Sequence, residues 1–162
     1  MSGVLSALVG IAVLVWVIVN QLRPQPLTAR RLRLAGILAV VGVVQLVSAA
    51  GAQAVPLLGW TLLLLGLAIG AVLGALRART VHLWVRDGVV WTQGHAMTAV
   101  LWVVGIGAHV GLDLLARAVV PAAGTVNTAS ILLFVAVSLG VQGLVTLQRT
   151  RGLPGVRSVL PV

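Results

Sequence analysis

Three side chains that could carry out chemistry lie at steps of four within one apolar stretch of the chain. They are His109, Asp113 and Arg117, and Asp113 is one of only two acidic residues in the protein. In a helix, steps of four place side chains along one stripe. Ionisable residues inside a membrane span mark ion or proton pathways by default. The stripe is therefore a candidate polar membrane site.

Two interpretations of this stripe remain open. The functional one is a proton or ion relay, or an anionic-ligand site that uses Arg117 and His109. The structural one is an ion pair between Asp113 and Arg117 at the membrane surface, where arginine reaches water, with His109 bonded to a neighbouring helix. At about 1.5 Å per residue, His109 lies roughly 18 Å into a span that starts at Met97.

Gln45 is a second polar residue at comparable depth, roughly 17 Å from one end of the predicted second span. A side-chain amide within a bilayer needs a hydrogen-bond partner. Gln45 therefore either joins two helices through a hydrogen bond or lines a polar pocket with His109 and Asp113. Such a pocket would open towards the outer membrane face.

Glycines four residues apart predict close helix packing in two spans, because small residues let helix backbones approach each other. These glycines are Gly66, Gly70 and Gly74 in the third span and Gly107 and Gly111 in the fourth. Gly107 and Gly111 lie about 200° around the helix from His109 and Asp113, so the two faces meet different neighbours. The packing partner is a helix of the same chain, a second copy of the chain or another membrane protein.

The helices that must position these residues follow from the composition. The chain has 162 residues, of which 60% are hydrophobic and 8% are charged, whereas a soluble domain has about a quarter of its residues charged. We predict an all-α integral membrane protein in which residues 1–162 form a single membrane domain. The short link between the second and third spans predicts that these two pack as an antiparallel hairpin. The five transmembrane helices are expected at about 4–19, 34–50, 55–76, 97–118 and 129–147.

A short cytoplasmic β-hairpin is predicted between the third and fourth spans, over residues 80–94. Asp87 and Gly88 lie between runs rich in Val, Trp and Thr, and both turn residues of such a hairpin need a positive φ. A two-residue turn places Trp84 opposite Trp91. The alternative is an interfacial amphipathic helix, which Gly88 would weaken in its middle.

The distribution of arginine predicts the orientation in the membrane. All eleven basic residues are arginines, and five spans place ten of them on one side and only Arg117 on the other. By the positive-inside rule, the side with ten arginines faces the cytoplasm. The expected location is the plasma membrane, with the N-terminus outside, the C-terminus inside and the lipid bilayer as the first partner. Because topology accounts for the arginines, we expect no nucleic-acid partner.

Several classes of chemistry lack the residues that they need. The chain has no cysteine, which excludes disulfides, thiolate metal sites and dithiol redox chemistry. It also has no phosphate-binding glycine loop, no H-E-x-x-H and no G-x-S-x-G motif. His82 and His95 are isolated in sequence, and a metal site needs further ligands. We therefore expect no catalytic residues, no metal and no cofactor.

Short segments of the chain resemble the CcdC-like family of bacterial multi-pass membrane proteins. The segments are Arg23 to Pro26 after the first span, Gly74 to Thr80 before the hairpin, Trp84 and Trp91 within it, and Leu101 to Asp113 in the fourth span. The match covers about the first four spans, and the high content of Ala, Val, Gly and Arg resembles actinobacterial proteins. The family name refers to a cytochrome c biogenesis gene neighbourhood. The resemblance implies a cell-membrane protein and supplies no catalytic residues.

These observations favour a small, non-enzymatic membrane protein that acts as an accessory or assembly factor and packs against partners through its glycine faces. The alternative is a small-solute or proton-coupled transporter with an outward-facing site at His109, Asp113, Arg117 and Gln45. Five spans do not divide into two equal inverted repeats, which counts against it. A third hypothesis is a membrane enzyme acting on lipids or quinones, against which the lack of a nucleophile–base pair counts.

Overall fold

The computed structural model describes residues 19–51, apart from the side chains of 29–31, together with residues 54–119 and 130–153. These residues form four long helices and three short strands. In chain order they are β1 (Gln25–Pro26), α1 (Ala29–Gly51), α2 (Leu57–Thr80), β2 (His82–Arg86), β3 (Val89–Gln93), α3 (Ala96–Val119) and α4 (Ile131–Thr150). The predicted first span, 4–19, lies outside the described residues except for Val19.

Each of these four helices is long and apolar enough to cross a membrane. Their apolar segments run for 20 to 24 residues, with mean hydropathies between 1.8 and 2.2. About 20 apolar residues span the hydrocarbon core of a bilayer, which is roughly 30 Å thick. The last four predicted spans overlap α1 to α4 in order. The described part of the chain is thus mostly helical, with four helices suited to a membrane and a small sheet.

The helix α4 lies in the middle of the bundle. Among the described helices, it packs against both α1 and α2, and α3 packs against α2. The predicted hairpin of α1 and α2 is therefore wrong as a packing unit, because α4 separates them. Glycines explain the order: a Cβ on Gly42 of α1 would come within 2.6 Å of the Leu133 backbone of α4.

The β-hairpin has the predicted register. Strands β2 and β3 pair antiparallel, with Trp84 opposite Trp91. Asp87 and Gly88 form the turn with φ values of 55° and 78°, as a two-residue hairpin turn requires. Asp–Gly favours this turn because glycine carries no Cβ and aspartate tolerates a left-handed backbone.

A third strand completes the sheet, whereas the sequence predicted only two. The strand β1 pairs antiparallel with β3, placing Gln25 opposite Thr92 and Pro26 opposite Trp91. The order across the sheet is β1, β3, β2. Proline is tolerated in β1 because an edge strand does not need every backbone N–H for pairing.

The sheet lies at one end of the helix bundle, where α1 and α3 begin and α2 and α4 end. We refer to this end as the sheet end and to the opposite one as the far end. Arg149 connects α4 to the end of α2, because its guanidinium donates to the backbone carbonyls of Ala78 in α2 and of Val81, which links α2 to β2. Among the described arginines, only Arg117 lies at the far end.

Candidate functional site

The charged stripe of α3 separates into two parts. Arg117 Nε lies 3.0 Å from Asp113 Oδ2, and the two side chains are 55% and 16% exposed, respectively. His109 is only 3% exposed, and its ring centroid lies 4.9 Å from that of Phe134 on α4. Its Nδ1 atom has no hydrogen-bond partner among the described residues. The ion pair is thus at the far end, while the imidazole is buried against an aromatic ring.

Gln45 does not join this group. Its side chain is exposed on α1, a helix that packs against α4, whereas His109 and Asp113 lie on α3, which packs against α2. The polar pocket that the transporter hypothesis needs between these three residues is therefore not assembled in the described chain. Gln45 therefore lies on an exposed face of α1.

The glycines of α2 pack inside the chain. A Cβ on Gly70 would lie 2.9 Å from the ring of Phe134, and one on Gly74 would overlap the backbone carbonyl of Ser138. Gly66 is less constrained, because its Cβ would meet a Leu112 methyl at 3.5 Å, an ordinary contact. The motif in α2 therefore serves mainly to bring α4 against it.

The glycines of α3 are placed differently. Gly107 and Gly111 are exposed, and no described atom would lie within 4 Å of a Cβ added to either. Exposed valines flank them on the same side of the helix, at Val103, Val104 and Val110. This face of α3 is therefore apolar, contains two small residues and is uncovered by the described residues.

A buried arginine contacts two neighbouring helices, which the sequence did not predict. Arg77 was counted among the arginines that set topology, yet it is 2% exposed. Its Nη2 donates to Ser138 Oγ, and its guanidinium carbon lies 3.9 Å from the ring centroid of Trp102. Arg77 Nη1 has no hydrogen-bond partner in the described part of the chain. Arg77 therefore connects α2 to α3 and α4 near the sheet end.

A line of buried residues at steps of four runs along α4. Its members, with the residue just before the helix, are Ser130, Phe134, Ser138, Gln142, Thr146 and Thr150, and all are buried. Apart from Phe134, each carries a hydroxyl or an amide. Thr146 and Thr150 donate to backbone carbonyls of α4 itself, at Gln142 and Leu147. The four-residue spacing was visible in the sequence, but uncharged polar residues stand out less than charges.

A cavity of about 190 Å³ opens at the sheet end beside this line. It lies between the sheet, the segment that leads into α1 and the sheet-end half of α4. Its polar side chains are all amides or hydroxyls, chiefly Asn20, Gln21, Gln25, Thr92, Gln142 and Thr146. Its apolar wall includes Leu32, Leu34 and Leu147. Among the described side chains, which exclude those of residues 29–31, no acid, arginine, lysine or histidine lines the cavity.

Gln142 is the unusual member of the cavity lining. Its side chain is 9% exposed, and its Oε1 atom is buried without a hydrogen-bond partner among the described residues. The wall opposite is ordered: Gln25 Nε2 donates to the backbone and side-chain oxygens of Asn20, at 2.6 and 2.7 Å. The buried acceptor thus belongs to a residue that lines the cavity, and hydrogen bonds order Gln25 elsewhere in the lining.

The outer face of the hairpin carries stacked aromatic rings. The rings of Trp84 and Trp91 lie 6.5 Å apart, and His82 stacks on Trp84 at 5.5 Å. The ring of His95 lies 6.1 Å from that of His82. The described residues contain no group of three or more His, Cys, Asp or Glu that could hold a metal ion. The two histidines therefore extend an aromatic surface.

Comparison with known proteins adds no relative to this description. No protein-family model, no curated protein and no solved structure matches the chain.

Proposed function

We propose that the protein is a multi-pass protein of the cell membrane that acts as a non-enzymatic accessory or assembly factor, working through helix docking on α3. The observation that supports it is the contrast between the two glycine motifs. Gly70 and Gly74 are each matched by a residue of α4, whereas Gly107 and Gly111 repeat the same spacing with no described atom against them. Small residues four apart are a recurrent device for helix association in membranes.

The occupant that this face fits best is α3 of a second copy. Gly107 and Gly111 lie roughly 17 and 23 Å from the start of α3, deep within a bilayer about 30 Å thick. All copies of a membrane protein with one orientation place these glycines at the same depth. A parallel two-fold pair therefore brings the same glycines together, with the valines of each helix beside them.

The orientation in this proposal puts the sheet end in the cytoplasm. All described arginines except Arg117 lie at that end, and arginine accumulates on the cytoplasmic side of membrane proteins. The resemblance to the CcdC-like family favours a bacterial cell membrane. Because the chain has no cysteine, single cysteines can test the orientation. Arg86→Cys should react with an impermeant maleimide only after permeabilisation, and Ala54→Cys should react from outside; the reverse pattern contradicts the orientation.

Self-association can be measured by energy transfer between copies labelled at Arg86→Cys and reconstituted in vesicles. Gly107→Leu should weaken association at least about tenfold, because a leucine on this face prevents close backbone approach. Gly36→Leu is the matched control, since Gly36 lies on α1, also has no described atom near its Cβ position, and should leave transfer unchanged.

Two results would count against the proposal. Absence of transfer at every protein-to-lipid ratio would exclude the second copy as occupant. Equal energy transfer in Gly107→Leu and the parent would show that the copies associate through a different surface. A different membrane protein that co-purifies with the parent and the Gly36→Leu variant, but not with Gly107→Leu, would keep the accessory role with a foreign helix as the occupant.

A further inference from the structure

We propose that the cavity at the sheet end binds the uncharged, hydroxyl-bearing head group of a molecule dissolved in the membrane. The head group donates its O–H to the buried Oε1 of Gln142. This site is separate from the docking face of α3, because it is formed by α4, the sheet and the segment leading into α1. It therefore does not depend on the proposed self-association.

The need for a hydrogen-bond donor follows from Gln142. Native structures leave few buried polar atoms without a partner, since each one loses its hydration without compensation. Gln142 Oε1 is such an atom, and it belongs to a residue that lines the cavity. The side-chain hydrogen bond described at this residue reaches its backbone oxygen, which accepts from Thr146 Oγ at 2.7 Å. An amide oxygen accepts hydrogen bonds and cannot donate, so the ligand must donate.

An uncharged ligand fits the cavity best, because no charged side chain belongs to its described lining. Its polar lining consists of amides and hydroxyls, and a charge buried without a partner is strongly disfavoured. The wall beside it is fixed by bonds that already exist: Thr92 Oγ donates to the Gln25 carbonyl at 3.3 Å. A pre-ordered wall lowers the entropy cost of binding a small group.

The size and position of the cavity point to a ligand in the bilayer. Its volume is about 190 Å³, whereas a cavity of about 150 Å³ accommodates a benzene ring. One of its lining residues, Leu34, is 49% exposed on the apolar surface of α1. The cavity thus reaches the side of the bundle that faces lipid, which allows a head group to enter while its apolar tail stays in the membrane.

Two sources provide this chemistry, the free hydroxyl of a diacylglycerol and the ring hydroxyl of a reduced isoprenoid quinone. The full chain in phosphatidylcholine nanodiscs can be titrated with dioleoylglycerol or with a naphthoquinol kept reduced, and the midpoint of thermal unfolding recorded. A ligand that binds the folded state raises that midpoint. The acetylated diacylglycerol and the oxidised quinone are matched controls, because each lacks the hydroxyl donor and should give little or no shift.

Gln142→Met tests the acceptor directly, because it keeps a similar side-chain length and removes the amide. It should weaken binding by about tenfold, the loss expected for one hydrogen bond. Gln148→Met is the control, since Gln148 lies on the same helix but is exposed and outside the cavity lining. Leu34→Trp is a second, surface variant that narrows the apolar opening and should also weaken binding if Gln142→Met does not fold.

Each outcome of these titrations either supports or contradicts the proposal. Binding of the hydroxyl form by the parent and by Gln148→Met, with loss in Gln142→Met or Leu34→Trp, supports the proposal, and the titration that gives it identifies the source. Equal binding by the parent and both cavity variants would overturn it. So would the absence of any shift with both hydroxyl probes, because the cavity would then hold only water. None of these results depends on whether two copies associate through the face of α3 that carries Gly107.

Discussion

Replacing Ser138 with alanine should lower the free energy of unfolding by about 2 kcal/mol, because it removes a partner of a buried charge. Arg77 is 2% exposed and its Nη2 donates to Ser138 Oγ. Hydrogen bonds to charged groups contribute about 1.5–3 kcal/mol, and a buried donor left unpaired loses that contribution. Alanine retains the Cβ of serine, so the contact between Ser138 and Gly74 is preserved and the change reports mainly on the hydrogen bond.

A double-mutant cycle separates this bond from other effects of the substitution. Arg77→Met removes the charge together with its need for a partner. The loss of stacking on Trp102 destabilises this variant, whereas the absence of a buried charge stabilises it. Because these effects offset each other, the free energy of unfolding should change by no more than about 1 kcal/mol. In the Arg77→Met background, Ser138→Ala should cost less than about 0.5 kcal/mol. The coupling between the two positions is then at least about 1.5 kcal/mol.

The assay is unfolding by sodium dodecyl sulfate in mixed micelles, followed by circular dichroism for the parent, both single variants and the double variant. Ser48→Ala provides a matched serine control, because Ser48 is exposed on α1 and should change the unfolding free energy by less than about 0.5 kcal/mol. The reasoning would be refuted if Ser138→Ala cost the same in both backgrounds. A cost no larger than that of Ser48→Ala would refute it equally.

Three further substitutions test other parts of the structure by the same unfolding assay. Gly74→Ala should destabilise by about 1–3 kcal/mol, because its Cβ would overlap the Ser138 carbonyl; a neutral effect would mean that α2 and α4 are not in close contact. Gly88→Val should cost about 1–2 kcal/mol, because φ is 78° there and a β-branched residue is strained at positive φ; an unchanged midpoint would contradict that turn. Asp113→Asn should cost less than about 1 kcal/mol, because its pair with Arg117 is partly exposed; a loss above 3 kcal/mol would show that the carboxylate has a larger role.

The sequence predicted local structure well wherever backbone chemistry decides it. Asp87 and Gly88 are among the few residue pairs that favour positive φ in succession, and that preference determined both the turn and the pairing of Trp84 with Trp91. The lengths of the apolar runs likewise predicted where α1 to α4 lie. Strand β1 was missed because it has only two residues, one of them a proline, and so carries no strand pattern. Its formation depends on Thr92, which is remote in sequence.

The packing order of the helices and the burial of individual side chains were harder to predict from the sequence, because both depend on contacts between distant segments. Arg77 has the same sequence context as its neighbour Arg79, yet one is buried and the other exposed. What distinguishes them is that Gly74 lets α4 approach closely enough to place Ser138 beside Arg77. A composition-based reading assigns both arginines to the membrane surface. The cavity beside Gln142 could not be predicted from the sequence for the same reason, since its lining comes from four separate segments.

The central position of α4 has a consequence for biosynthesis. This helix is the last of the described helices to leave the ribosome, yet it is the one against which both α1 and α2 pack. Until it is inserted, Gly70 and Gly74 lack the surface that they fit, and Arg77 lacks the hydroxyl of Ser138. In a nascent chain halted before Ile131, Arg77 near the end of α2 therefore keeps its contact with Trp102 but lacks its hydrogen bond to α4. The environment of that arginine therefore distinguishes an incomplete bundle from a finished one.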